Sequence, residues 1–191
     1  MWAGAATHRP AIQSWQGWAV HPGEEGGPVG IGLSHIKHVK LPVADLAHSA
    51  SWYRALFDLE LIAEFVEQGE LRGVSLLDRD GGFEIALRQR EYCASQPRLA
   101  GFDVFALSSP SEELLTTVAE RCDRLGIKRT EVTRFPGYGA GLDIPDPDGT
   151  LVRIVWHDPQ RPSGFLGVAF DADSWPQPYH QPRLDLGGPP R

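Results

Sequence analysis

Apolar and polar residues alternate from His35 to Val43, the period of a half-buried strand. Behind it stands Asp45, a side chain suited to an N-cap. Leu46, Ala50, Tyr53 and Phe57 then recur at helical spacing, which predicts a helix ending near Phe57. Three strand-like runs follow, Leu61 to Val66, Leu71 to Leu77 and Phe83 to Leu87. Gly69 and the cluster Asp80-Gly81-Gly82 separate them as turns.

The same order then recurs. Phe102 to Leu107 reads as a strand, and Ser111 caps a helix that carries Glu112 and Glu113 in its first turn. That helix runs to about Leu125 and ends at Gly126, where the C′ position favours glycine. Strand-like runs follow at Lys128 to Arg134, Gly141 to Ile144 and Leu151 to Trp156. Asp146-Pro147-Asp148-Gly149 makes the last turn. It lacks the spaced oxygens and closing glutamate of a calcium loop. A β-α-β-β-β unit thus appears twice, about 66 residues apart from His38 to Val104. Two half-sheets, each covered by one helix, leave their other faces free to line a concavity.

The flanks differ from this core. Met1 to Gly32 carries Trp2, Trp15 and Trp18, then a Gly/Pro-rich run with no period. It has no basic start followed by an apolar stretch, so it does not read as a secretory signal. From Asp158 to Arg191 there are seven prolines and four glycines in 34 residues, which excludes a regular helix or a central strand. Phe165, Leu166, Phe170, Trp175 and Tyr179 favour an extended arm on the domain over a loose tail.

Composition narrows the function classes. The chain has 191 residues, 41% of them hydrophobic, and a formal net charge of −7. That is enough apolar material for a core, but Lys and Arg form no dense run, which argues against nucleic acid as a partner. No run of 18 apolar residues is present, so no membrane span is expected. Two cysteines, Cys93 and Cys122, without a CxxC pair fit free thiols in a reducing cytoplasm.

The run HIKHVKLPVADLAHSASWYRALFDLEL and the closing LDIPDPDGTLVRIVW resemble the start and end of a vicinal-oxygen-chelate domain. This is the superfamily of glyoxalases, bleomycin-resistance proteins and extradiol dioxygenases. The resemblance covers about Leu33 to His157. It implies an α+β fold in which paired βαβββ modules, residues 33–92 and 100–157, form a cupped mixed sheet. Residues 1–32 are then an N-terminal extension and 158–191 a C-terminal arm.

Metal-using members of the family take ligands from fixed strand positions. The resemblance maps these onto His38, Glu84, Val104 and Arg153. Valine offers no donor, and a guanidinium keeps its proton and repels a cation. His38 and Glu84 alone are weak candidates for a divalent metal, unless His35, Tyr138, His157 or a second chain contributes. No cofactor is therefore expected.

Alternation places His38 and Lys40 on one face of the first strand; Glu84, Ala86 and Arg88 share a face, as do Val104, Ala106 and Ser108, and Leu151, Arg153 and Val155. His38, Glu84 and Arg153 are the candidate catalytic residues: His38 as acid or base, and Arg153 paired with Glu84 or holding a substrate oxygen. Lys40, Val104, Ala106 and the loop residue Tyr138 are candidate ligand contacts. The expected function is a metal-independent enzyme for proton transfer, cyclisation or isomerisation of an apolar, oxygen-bearing, aromatic or polyketide-like molecule. The alternatives are a non-catalytic drug-binding resistance protein and a metal-dependent lyase or ring-cleaving dioxygenase. A homodimer is expected, and the cup closes either within one chain or across two.

Overall fold

The computed structural model describes residues 35–80, 82–161, 167–170, 176–181 and 183–184. The reading of Met1 to Gly32, and that of Phe165, Leu166 and Trp175, lies outside the described residues.

The repeat read in the sequence is the fold. In the first module β1 (Val39–Val43) leads into α1 (Leu46–Phe57), then β2 (Glu60–Glu67), β3 (Glu70–Leu77) and β4 (Glu84–Gln89). In the second, β5 (Asp103–Ser108) leads into α2 (Glu112–Leu125), β6 (Thr133–Phe135), β7 (Gly139–Pro145) and β8 (Leu151–His157). The sheets have matching orders, β1-β4-β3-β2 and β5-β8-β7-β6. In each, the first strand lies parallel to the last and the remaining pairs are antiparallel.

Local chemistry sets the ends of the elements. Asp45 accepts from the His48 amide at 2.9 Å and starts α1. Ser111 does the same for Leu114 in α2, and Gly126, at φ +67°, closes that helix. Gln68 and Gly69 both have positive φ, as the two-residue hairpin between β2 and β3 requires.

Two expected strands are shorter than their patterns. β1 begins at Val39, so His35 to His38 precede it. The run from Lys128 yields only Thr133–Phe135. Thr130 pairs with Asp143 through its amide and its hydroxyl, both at 2.9 Å, and the side-chain bond takes the place of a ladder rung. Arg129 turns back to α2, donating to the Ala119 carbonyl and to Asp123.

The Pro-rich arm contributes an antiparallel ribbon of its own, β9 (Gly167–Phe170) with β10 (Pro176–Tyr179). Pro176 and Pro178 are tolerated because a two-stranded ribbon has only edges.

The modules share a core built from their helix-bearing sides. Leu41, Val43, Tyr53, Leu76 and Leu87 of the first module are buried with Val152 of β8. Leu56 of α1 is buried with Leu115, Ala119 and Ile154 of the second. Trp52 and Phe57 pack against both groups. Polar bonds reinforce the seam. Asp148 accepts from the Ala44 amide and pairs with Arg90, while Arg121 donates to the Ala55 carbonyl at 2.8 Å. The turn Asp146 to Gly149 is thus a staple between modules. With the helix sides joined, the opposite face of each sheet carries no helix, although its small central residues Ser75 and Ala86 on the first sheet are buried.

Candidate functional site

The open face of the first sheet follows from register. Lys40 lies beside Ala86, and Ala86 beside Ser75. In the next row Pro42, Arg88, Gly73 and Phe65 stand side by side. Glu84 sits at the start of β4, where its carboxylate pairs with the Lys37 ammonium and accepts from the Ser75 hydroxyl. The Lys37 bond, then the Ser75 bond, hold the Glu84 carboxyl below the usual carboxylate range. His38 precedes β1, is exposed, and lies near enough to Glu84 to help hold its carboxyl low.

The open face of the second sheet carries Arg153 in β8 beside Asp143 of β7 and Ala106 of β5. The guanidinium grips Asp143 through two bonds, Nε to Oδ1 at 2.8 Å and Nη2 to Oδ2 at 2.9 Å. Its Nη1 lies 2.6 Å from Asp103. These carboxylates, Asp143 first, raise the guanidinium further above its ordinary value.

Two expectations about this face are corrected. Arg153 is expected to pair with Glu84 or to hold a substrate oxygen; the pairing is not formed, since its partners are Asp103 and Asp143 of its own sheet and Glu84 is held by Lys37 and Ser75. Val104 is expected on one face with Ala106 and Ser108. A bulge between Asp103 and Phe105 breaks that alternation, so Val104 packs against the shared core and Asp103 takes the place beside Arg153. Ala106 does lie across from Arg153 and is exposed. Tyr138 is half-buried in the turn between β6 and β7, its amide bonded to Phe135 and its carbonyl to Asp158.

Asp103 and Asp143 are the residues of this face that the sequence did not single out. Asp143 carried a signal, a lone carboxylate between Leu142 and Ile144 in an alternating strand. Asp103 carried none, because its orientation depends on the bulge.

The donors do not fit the divalent ion used by many proteins of this fold. Val104 has no lone pair to give and faces the core, and Arg153 brings a cation already held by two carboxylates. Among the described residues, no group of three or more His, Cys, Asp or Glu is placed to hold a metal. His157 ends β8; burial, then nearby Arg161, push its imidazole below the ordinary value.

The family model for the Glyoxalase/Bleomycin resistance protein/Dioxygenase superfamily matches residues 35–154, the two modules just described. The chain belongs to this superfamily. No curated protein matches its sequence.

Solved structures of superfamily members share the fold. An antibiotic-binding protein, TnmS3 from Streptomyces sp., is 15% identical with a TM-score of 0.56, over 67% of this chain and 99% of its own. A glyoxylase/bleomycin resistance protein/dioxygenase domain from Frankia sp. is 23% identical with a TM-score of 0.54, over 66% and 94%. The fosfomycin resistance protein FosX from Listeria monocytogenes, crystallised with manganese(II) and a dihydroxypropylphosphonic acid, is 19% identical. Its TM-score is 0.55, over 68% of this chain and 96% of its own. At these identities the likeness speaks to the fold. Among the described residues of this superfamily member, no helix is long and apolar enough to cross a membrane.

Proposed function

We propose that this protein binds an apolar, oxygen-bearing small molecule without transforming it, in a cup that a second copy of the chain completes. The observation that carries this reading is the state of Arg153. A guanidinium that is to stabilise a developing oxyanion must present free donors to it. Here Asp143 and Asp103 occupy that fork from two sides. Glu84, the expected partner in catalysis, is likewise engaged by Lys37 and Ser75.

The apolar walls support binding. Phe65 on the first open face is 49% exposed and Phe135 on the second is 37% exposed, and Leu151 and Val155 stand half-buried beside Arg153. A few fixed polar groups among apolar side chains are what orients a ligand in such a site. The shared core supports the second copy. Because the helix-bearing sides of both sheets are joined, the open faces point away from that core. A concavity with both kinds of wall then needs the first sheet of one copy to meet the second sheet of another. The resemblance of the fold to an antibiotic-binding protein agrees with this reading. The free thiols of Cys93 and Cys122 agree with a cytoplasmic setting.

One observation favours a second reading. His38 is exposed near Glu84 and remains available for proton transfer. Screening a library of aromatic and polyketide-like molecules by thermal shift, then incubating each hit with the protein and recovering it, separates the two. Stoichiometric binding with unchanged recovery is the expected result. A product that fails to form with His38→Ala would overturn the binding-only reading.

A further inference from the structure

The first open face carries an imbalance of charge that no pairing among the described residues resolves. Glu67 receives Arg88 through a two-pronged ion pair. Arg72 and Lys40 act on the same carboxylate, which these cations, Arg88 first, hold below its usual range. One carboxylate therefore stands against three cations. Lys40 is exposed, and its ammonium has no hydrogen-bonded partner among the described residues. Arg72 is only 8% exposed. Its guanidinium carbon lies over the Tyr92 ring, 3.1 Å from the centroid, and its Nε reaches only the Glu67 carbonyl at 3.4 Å. Its Nη1 is buried with no hydrogen-bond partner among the described residues. Burying a cation with so few partners is costly unless an anion lies nearby.

Of these charged groups, Lys40 and Arg88 line a recess of about 340 Å³, together with Pro42, Cys93 and Pro97. Lys40, Pro42 and Arg88 are open-face residues, so the recess opens on the wall assigned to the cup. We infer that this recess is the subsite for an anionic oxygen group of the ligand, a carboxylate or a phosphonate, held by Lys40 and by the guanidinium donors of Arg88 that Glu67 leaves free. The inference rests on the binding cup proposed above and adds the chemistry of its ligand. Arg153, held by two aspartates, gives the second sheet a local excess of negative charge. The anionic end of a ligand is thereby directed to the first sheet and its apolar body to Phe65 and Phe135.

The test uses the full-length protein and three probes: benzoate, phenylphosphonate and the neutral isostere benzamide. Calorimetry gives their affinities. Alkylation of Cys93 by iodoacetamide reports occupancy of the recess, since Cys93 lines it and Cys122 is buried. At least one anion is expected to bind about tenfold tighter than benzamide, the scale of a charge-assisted hydrogen bond, and to slow the alkylation of Cys93. Whichever anion binds tighter names the group. Lys40→Gln is expected to weaken the anion about tenfold, and Glu67→Gln, which removes the competing carboxylate, to tighten it. Both should leave benzamide unchanged. Equal affinities for anions and benzamide, anion binding without protection of Cys93, or indifference to both substitutions would each overturn the subsite. A neutral library ligand that still binds in any of these cases leaves the cup standing, whereas a screen without any hit removes both.

Discussion

Tyr53, fully buried in α1, donates its phenolic hydrogen to Asp146 Oδ2 at 3.0 Å, joining the helix of the first module to the β7–β8 turn of the second. Asp146 also accepts the Asp148 and Thr150 amides on Oδ1, at 2.9 and 2.8 Å. Burial raises the phenol beyond its ordinary value, and the Asp146 charge adds to that. Burial also raises the Asp146 carboxyl, although the Tyr53 bond and the amides of the turn oppose it. The folded value for Asp146 thus lies above the unfolded one, and the stability it contributes is full in acid and declines as pH rises through the folded value. Tyr53→Phe removes the donor that best offsets burial. It is expected to cost about 1–3 kcal/mol at neutral pH, and less in acid, where Asp146 is protonated. Urea unfolding across pH checks this; a cost that does not change with pH would mean that the hydroxyl serves only to fill space.

Glu84 behaves in the opposite sense. Lys37 and then Ser75 hold its carboxyl below the unfolded value. Its stability contribution is present above the ordinary glutamate value and is lost as pH falls through the folded one. Glu84→Gln is therefore expected to flatten the acid limb of the stability curve while leaving the alkaline limb alone. Ser75→Ala should move the acid midpoint upward, because the carboxylate loses a donor. Chemical denaturation at closely spaced acid pH values reads both effects, and an unchanged acid limb in Glu84→Gln would contradict the assigned pairing.

Arg153 and Asp143 form a two-pronged ion pair on the second open face. Arg153→Met leaves Asp103 and Asp143 without their shared cation. A double-mutant cycle with Asp143→Asn is expected to give a coupling of about 1 kcal/mol, modest because the site is part-exposed. Raised salt should shrink it. Zero coupling at low salt would free Arg153 for a ligand and would reopen the catalytic reading.

The sequence carried much of this fold because its two periods are clean. Leu41 and Val43 alternate inward and Lys40 outward, Asp45 and Ser111 mark both helix starts, and Gly126 marks an end. The site was less legible for two reasons. A bulge such as that at Val104 shifts one face by a single residue and needs no glycine or proline to announce it. The partners of a charged strand residue come from neighbouring strands, so Arg153 could be placed on its face without showing that Asp103 and Asp143 would claim it. The side on which the modules join was also hidden, since Val152 and Leu56 look like core residues in either arrangement.

That joining predicts how copies of the chain meet. If the cup crosses two copies, Lys40 on the first open face of one faces Ala106 on the second open face of the other. With Cys93 and Cys122 replaced by serine and alanine, a mixture of Lys40→Cys and Ala106→Cys chains treated with a short bifunctional maleimide is expected to give linked heterodimers. The Lys40→Cys/Ala106→Cys double variant should give linked dimers, with no internally bridged monomer at high dilution. The shared core of Val152 with the first module and Leu56 with the second is the reason to expect this, because it turns the two residues of one chain to opposite sides. An internal bridge in the monomer would place the cup within a single chain. Sedimentation of the untreated protein as a monomer at micromolar concentration would count against the dimer, whatever the cross-linker captured.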